Sequence, residues 1–290
     1  MRATAACAHH RITAKVTPNS NAARDVISFD WLGRMGRLGN QMFQYAALLG
    51  IARRRGHAFC IPPSNFRDPE AEHQLFRAFH LPSVRIVGFN TGAARAKPAS
   101  FGFDPALAND CPDGVDLMGF FQSERWFADQ AGLIRSEFAF REEIAAPCRQ
   151  AIAALGPEVI AVHVRRTDYL QKAHVHPPCE PAYYRQALER LPPHLPVLVL
   201  SDDIDWCRAQ DVFAGDRFGF GEGRDNLHDL CLMTLCRHHV IANSSFSWWG
   251  AWLAEREGQV VAAPKRWFGE PGHAGGIDTG DLVPERWERV

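Results

Sequence analysis

The second half of the chain repeats one rhythm, and that rhythm restricts the fold more than any other feature. Short apolar runs alternate with runs of helical spacing. "VIAVHV" (159–164) precedes "PAYYRQALERL", "LPVLVL" (195–200) precedes "DIDWCRAQ", and "VIAN" precedes "SWWGAWLAEREG", before "VVAAP" closes the series. Between them "DNLHDLCLMTLCRHH" predicts a helix with Leu227, Leu230, Cys231 and Leu235 on one face. Apolar runs this short suit strands covered on both faces. Strand and helix in alternation give an α/β fold with a parallel sheet wound on both sides.

The first half opens the same way. "DVISFDWL" (25–32) predicts a strand, "GRMGRLGN" a glycine-rich loop, and "QMFQYAALLGIARRRG" a helix with Met42, Tyr45, Ala46, Leu49 and Ala52 on one stripe. Arginines fill its last turn, and Gly56 is placed to end it. From 60 to 120 the chain is broken by proline and glycine, with short strands expected at "CIPP", "VRIVGF" and "VDLMGFF". "SERWFADQAGLIRSEFAF" and "REEIAAPCRQAIAAL" predict helices, the second bent or started at Pro147. Gly156-Pro157 is the expected boundary. It divides the 290 residues into domains at 25–156 and 157–290, preceded by a polar, flexible extension at 1–24.

Composition bears on partners. A net charge of −1 gives no general attraction for nucleic acid or an anionic membrane, so any anion site must come from local arginines. The 8 cysteines include no C-x-x-C pair and no zinc spacing, which points to a reducing compartment. No apolar run approaches a membrane span, and residues 1–25 lack the apolar core of a secretory signal. The expectation is a cytoplasmic protein.

In an open parallel sheet, ligands bind outside the carboxyl ends of the strands. Three polar clusters follow strands directly. In "HVRRTDYL", alternation puts His163 and Arg165 on one face and Arg166 on the other. Guanidinium forks there suit a multiply charged anion, the alternative being structural arginines paired with Asp168 or Glu180. In "SDDIDW", Asp202 and Asp203 could accept from a base or ribose, while Ser201 or Asp202 could cap the next helix. Asp203 and Asp205 also spell D-x-D, a spacing that can hold a divalent ion. In "NSSFSWWGAWL", Ser244, Ser245 and Ser247 surround Phe246 at a helix start, where free N–H groups attract anions. Trp248, Trp249 and Trp252 are read as packing for that helix. A fourth cluster, "GRMGRLGNQ", has Gly36 and Gly39 for close approach and Asn40 at the helix start, but neither a P-loop lysine nor G-x-G-x-x-G spacing.

"GRLGNQMFQYA", "HVRRTDY", "SDD" and "NSSFSWWGAWL", in this order, resemble the α-1,2-fucosyltransferase family over roughly residues 25–270. More distantly, the arginine pair is similar to the α-1,6- and protein O-fucosyltransferases. The resemblance implies a GT-B-like arrangement of two Rossmann-like domains facing across a cleft. It also implies transfer of L-fucose from GDP-β-L-fucose to a glycan hydroxyl, typically the 2-OH of galactose, with inversion and no metal. Carried over, Arg165 holds the β-phosphate, and Arg166 and His163 support it or contact the nucleotide. Asp202 or Asp203 accepts from guanine, Ser244, Ser245, Phe246 and Ser247 hold phosphate or fucose, and Asn40 reaches in from the first domain. "GRMGRLGN" replaces the usual run of glycines and puts Arg34 and Arg37 beside the cleft. Asp168, Glu180, His174 and His176 are the candidate bases, among which the sequence does not choose, and a loose transition state would make the base dispensable. The acceptor implied is a galactose-terminated glycan such as a lipopolysaccharide repeat, met at the inner membrane face. A fucosyltransferase of another linkage or acceptor, a metal-dependent transferase using Asp203 and Asp205, and a non-catalytic GDP-sugar- or glycan-binding protein are the rivals.

Overall fold

The computed structural model describes residues 26–64, 72–221, 223, 225–269 and 277–290. The extension expected at 1–24 lies outside the described residues.

The first half builds a five-stranded parallel sheet from β1 (Val26–Ser28), β2 (Ala58–Ile61), β3 (Ile86–Val87), β4 (Arg95–Ala96) and β5 (Asp116–Leu117), in the order β3-β2-β1-β5-β4. Its helices are α1 (Leu38–Arg55), α2 (Leu75–Ala78), α3 (Pro105–Asp110), α4 (Ala131–Glu137) and α5 (Glu142–Leu155). The second half builds a six-stranded parallel sheet from β6 (Ile160–Val164), β7 (Val197–Ser201), β8 (Phe218–Phe220), β9 (His238–Val240), β10 (Val261–Ala263) and β11 (Glu288–Arg289). Its helices are α6 (Thr167–Gln171), α7 (Pro181–Leu188), α8 (Ile204–Arg208), α9 (Asn226–Leu235) and α10 (Ser245–Leu253). The strand order is β11-β10-β9-β6-β7-β8. Two parallel α/β sheets, one from each half of the chain, make the GT-B-like class.

Alternation along β6 separates two cores. Ile160, Val162 and Val164 face one layer with Tyr184 and Ala187 of α7. Val159 and Ala161 face the other, which runs without a break through α9 and α10 into the first sheet. His163 and Arg165 have the parity of Ala161, so they point toward the layer that joins the halves.

The tryptophans of α10 make that joint. Trp248, Trp249 and Trp252 are at most 1% exposed. Their indole N–H groups donate to Leu282 O at 2.8 Å, Gly39 O at 3.1 Å and Glu124 Oε2 at 2.9 Å. Phe127 stacks on Trp249 at 5.3 Å, and Phe43 packs against Trp248 at 4.5 Å. One short helix therefore binds the C-terminal segment, α1 and the turn at Glu124. The packing predicted for its aromatic face is what the structure contains.

Several local expectations need correction. "SERWFADQAGLIRSEFAF" is two 3-10 turns followed by α4, because Ser123 caps a turn at Glu124 that Phe127 breaks. α5 begins at Glu142 and runs through Pro147. It also packs on α9 of the other half, where Cys148 Sγ lies 3.5 Å from His228 O. α10 begins at Ser245 rather than Ser247. Among the described residues no helix is long and apolar enough to cross a membrane.

Candidate active site

β6 lies in the middle of its sheet. From it the chain builds β7 and β8 to one side, then returns to build β9, β10 and β11 on the other. The loops after β6 and β9 therefore diverge and leave a crevice at the switch point. A cavity of about 790 Å³ fills it, within the usual range for small-molecule sites. The loop before α1 and the first turn of α1 form the opposite wall.

Arg165 leaves β6 into this cavity. Its Nη2 lies 2.6 Å from Asp168 Oδ1 and its Nη1 3.0 Å from Asp202 Oδ2. The guanidinium sits 5.6 Å from the centre of the Tyr169 ring. Tyr169 is fixed by donating to Asn243 O at 3.0 Å, and burial pushes its phenol up to about 12. Burial opposes charge on Asp202, but the Thr167 hydroxyl, Arg165 and the Arg166 amide outweigh it and hold the carboxyl below its ordinary value. His163 lies beneath. Burial lowers its pKa to about 4, so its imidazole is neutral near pH 7. Its Nδ1 is buried and has no hydrogen-bond partner among the described residues.

The start of α10 faces Arg165. Ser244 caps it by accepting from Phe246 N at 3.3 Å, and Ser244, Ser245 and Phe246 line the cavity. The first turn of a helix presents N–H groups to whatever lies beyond it. α1 abuts this turn. A Cβ on Gly39 would lie 2.5 Å from Phe246 N and 2.7 Å from Ser245 Oγ, so only glycine fits there. Gly36 has φ +92°, and a Cβ on it would overlap the Asn40 amide. Asn40 Oδ1 accepts from Gln122 Nε2 at 2.7 Å, which anchors it to the loop after β5. Arg37 reaches back across the cleft to Asp168 at 3.6 Å.

The structure thus brings Asn40, His163, Arg165, Asp168, Asp202, Ser244, Ser245 and Phe246 to one cavity. Three predicted residues stand elsewhere. Ser247 is fully buried and donates to Ala242 O and Ser244 O, because the helix starts two residues earlier and turns it inward. Arg166 points to the other face of β6, where its Nε donates to Asp203 Oδ2 at 3.1 Å and its guanidinium covers Trp206 at 4.0 Å. Asp203, not Ser201 or Asp202, caps α8 by accepting from Trp206 N. Both Asp203 oxygens are engaged in this way, outside the cavity. Among the described residues no group of three or more His, Cys, Asp or Glu side chains is placed to hold a metal ion. Arg34 does not line the cleft, and of the base candidates only Asp168 and His176 do.

Other lining residues went unpredicted. Asn226 and Asp229 face the cavity from α9, and Asn226 Nδ2 donates to Gln74 Oε1 at 2.6 Å across the halves. Their i,i+3 spacing puts both on one face of α9. Tyr169, Lys172, Gln122, Trp267 and Phe268 carried no such pattern.

Residues 113–274 match the sequence profile of glycosyl transferase family 11. The chain belongs to that family. It is 27% identical over 288 residues to an alpha-1,2-colitosyltransferase of Escherichia coli, covering 88% of this chain and 96% of the relative. It is 29% identical to galactoside alpha-(1,2)-fucosyltransferase 1 of Bos taurus, covering 76% of this chain and 64% of that one. Among solved structures, POFUT1 in complex with GDP superposes with a TM-score of 0.53 at 16% identity, covering 83% of this chain and 98% of that chain. That likeness is one of fold.

Proposed function

We propose that this family 11 member transfers L-fucose from GDP-β-L-fucose to the 2-OH of a terminal galactose on a glycan, inverting to an α-1,2 linkage without a metal. The observation that carries this reading is Arg165 at the end of β6, facing the first turn of α10 across a cavity walled by both halves. As the fucosyl–phosphate bond breaks, the diphosphate gains negative charge and the sugar positive charge. The Arg165 fork and the N–H groups of α10 stabilise the first. Removing one preorganised donor of this kind costs ~10²–10³ in rate.

Asp168 takes the proton of the acceptor hydroxyl. In the structure it shares Arg165 with Asp202. An incoming diphosphate competes for the same guanidinium and frees the Asp168 carboxylate for the acceptor. Asp202 orients Arg165, and Arg166 with Asp203 stiffens the loop behind it. Guanine finds acceptors in Asp202 or in Asp229 on the same wall. We propose further that 157–290 is the donor-binding domain, that 25–156 is the acceptor-side domain, and that the enzyme is cytoplasmic, meeting membrane-linked glycans at the inner face.

The colitosyltransferase relative favours a second donor, in which colitose replaces fucose. Acceptor-dependent GDP release, measured with GDP-fucose and the colitosyl donor over a panel of galactose-terminated glycans and followed by linkage analysis, separates the two. Donor binding without GDP release on any acceptor would contradict catalysis.

A further inference from the structure

The cavity does not end at Arg165. A run of aromatic rings leads from it to the surface. Tyr169, under the Arg165 guanidinium, stacks on His176 with ring centres 5.0 Å apart and an interplanar angle of 21°. His176 packs on Phe268 at 5.5 Å, Phe268 meets Phe101 edge-on at 5.5 Å, and Phe101 lies 6.4 Å from Phe120. Phe120 is 40% exposed. Tyr169, His176 and Phe268 come from the second half, Phe101 and Phe120 from the first, so the run crosses the cleft.

Two further observations set this run apart from ordinary packing. The turn that carries Phe120 is built at a cost. Phe121 adopts φ +54°, a left-handed conformation unusual for a large side chain, and is held there between Phe29 at 5.7 Å and Trp126 at 4.9 Å. Burying Phe121 in this way presents Phe120 to solvent on one side and Gln122 to the cavity on the other. The second observation is His176. Its Nδ1 is buried without a hydrogen-bond partner among the described residues, so an unsatisfied ring nitrogen sits within the aromatic run, and burial lowers the ring's pKa.

We propose that Tyr169, His176, Phe268, Phe101 and Phe120 form a track that binds an extended acceptor glycan, so that the enzyme reads at least one sugar beyond the one it modifies. The chemistry matches. A galactoside ring has one face of C–H groups, which packs on aromatic carbon, and rims of hydroxyls, which polar side chains lining the same cavity, Gln122 and Lys172 among them, can bind. The path spans several ring widths and begins beside the arginine assigned to the leaving group. The proposal rests on the reading of this cleft as a glycosyl-transfer site.

The test uses the full chain with GDP-fucose and a series of acceptors: methyl β-galactoside, then a galactose-terminated disaccharide and a tetrasaccharide. The wild type should show kcat/KM at least ~10-fold higher for the tetrasaccharide than for the monosaccharide. Phe120→Ala should remove most of that advantage by raising the KM of the long acceptor. kcat, the KM for GDP-fucose and turnover of methyl β-galactoside should stay as they were. Phe120→Trp should restore the long-acceptor KM. Phe120 is exposed, so its truncation should leave the melting temperature unchanged, and Phe101→Leu provides a second, independent reading. Turnover of GDP-fucose with no length preference, or a preference that survives Phe120→Ala, overturns the track alone. No transfer to any member of the series overturns the track together with the galactose-terminal acceptor, and a chain that does not bind GDP overturns the donor reading as well. A wild-type dimer that Phe120→Ala converts to monomer would assign the exposed ring to self-association and overturn the track.

Discussion

Gly39→Ala is the substitution that most directly probes the contact between the two halves. The added Cβ would lie 2.5 Å from Phe246 N and 2.6 Å from Ser245 C, where ordinary contact begins at 3.4 Å. Both neighbours are backbone, so no side chain can swing away. Either α1 or α10 must shift by the better part of an ångström. Overpacking of this sort costs ~1–3 kcal/mol. The Trp249 indole bond to Gly39 O is strained by the same shift, and leaving that buried donor unpaired adds ~1–3 kcal/mol. Alanine's better helix propensity returns at most ~1 kcal/mol, so destabilisation wins. A net ~2–4 kcal/mol lowers Tm by very roughly 5–15 °C in a chain of this size. The shift also moves Ser245 and Asn40 at the cavity wall, and a misplacement of this size costs on the order of 10² in turnover. Differential scanning fluorimetry and GDP-release kinetics on the purified variant read both effects. A Gly39→Ala protein with wild-type Tm and turnover would refute the close packing of α1 on α10.

The remaining predictions separate roles within the site. Ser245→Ala should weaken donor affinity or turnover with little change in Tm, whereas Trp252→Ala should act first on stability, since truncating a buried tryptophan costs ~3–5 kcal/mol. A stable Trp252→Ala protein that has lost acceptor binding would make that residue a sugar platform instead. Transfer should persist in excess EDTA, and loss of activity restored by Mn²⁺ or Mg²⁺ would move the assignment to the metal-dependent rival. Burial lowers His163 and His239 to about 4 from an ordinary 6.5. Unfolding lets both take up protons, so stability is full above pH 6.5 and falls as pH drops toward 4. Each histidine contributes ~1.4 kcal/mol per pH unit in that window. A Tm flat across it would contradict their neutral burial.

The parts of this molecule that the sequence made legible are those where one local rule decides. "VIAVHV" reads as a buried strand because it has no polar residue until His163, and alternation then sets Arg165 beside His163 on the face opposite Arg166. The serines of "NSSFS" read as a helix start. The same rules failed where a boundary moved by a residue or two. Starting α10 at Ser245 rotates Ser247 into the core. The resemblance gives Arg166 a supporting or nucleotide-contacting place, but alternation sets it opposite Arg165, and Trp206 with Asp203 holds it on the far face. Gly39 was legible as a close approach, but its neighbour on α10, more than two hundred positions away, was not. The lining from Gln122, Tyr169 and Phe268 depends on tertiary packing alone. The turn that places Gln122 relies on Phe121 in a left-handed conformation that no propensity favours.

The central claim is that Arg165 stabilises a departing nucleoside diphosphate. It is tested most directly by GDP release from GDP-fucose in the presence of a galactose-terminated acceptor, comparing wild type, Arg165→Lys and Arg165→Ala, with Tm measured on each. The account predicts a loss of ~10² or more in turnover for Arg165→Ala, poor rescue by lysine because the planar fork is absent, and a fold that survives. Near-wild-type turnover by Arg165→Ala with an unchanged Tm would contradict it.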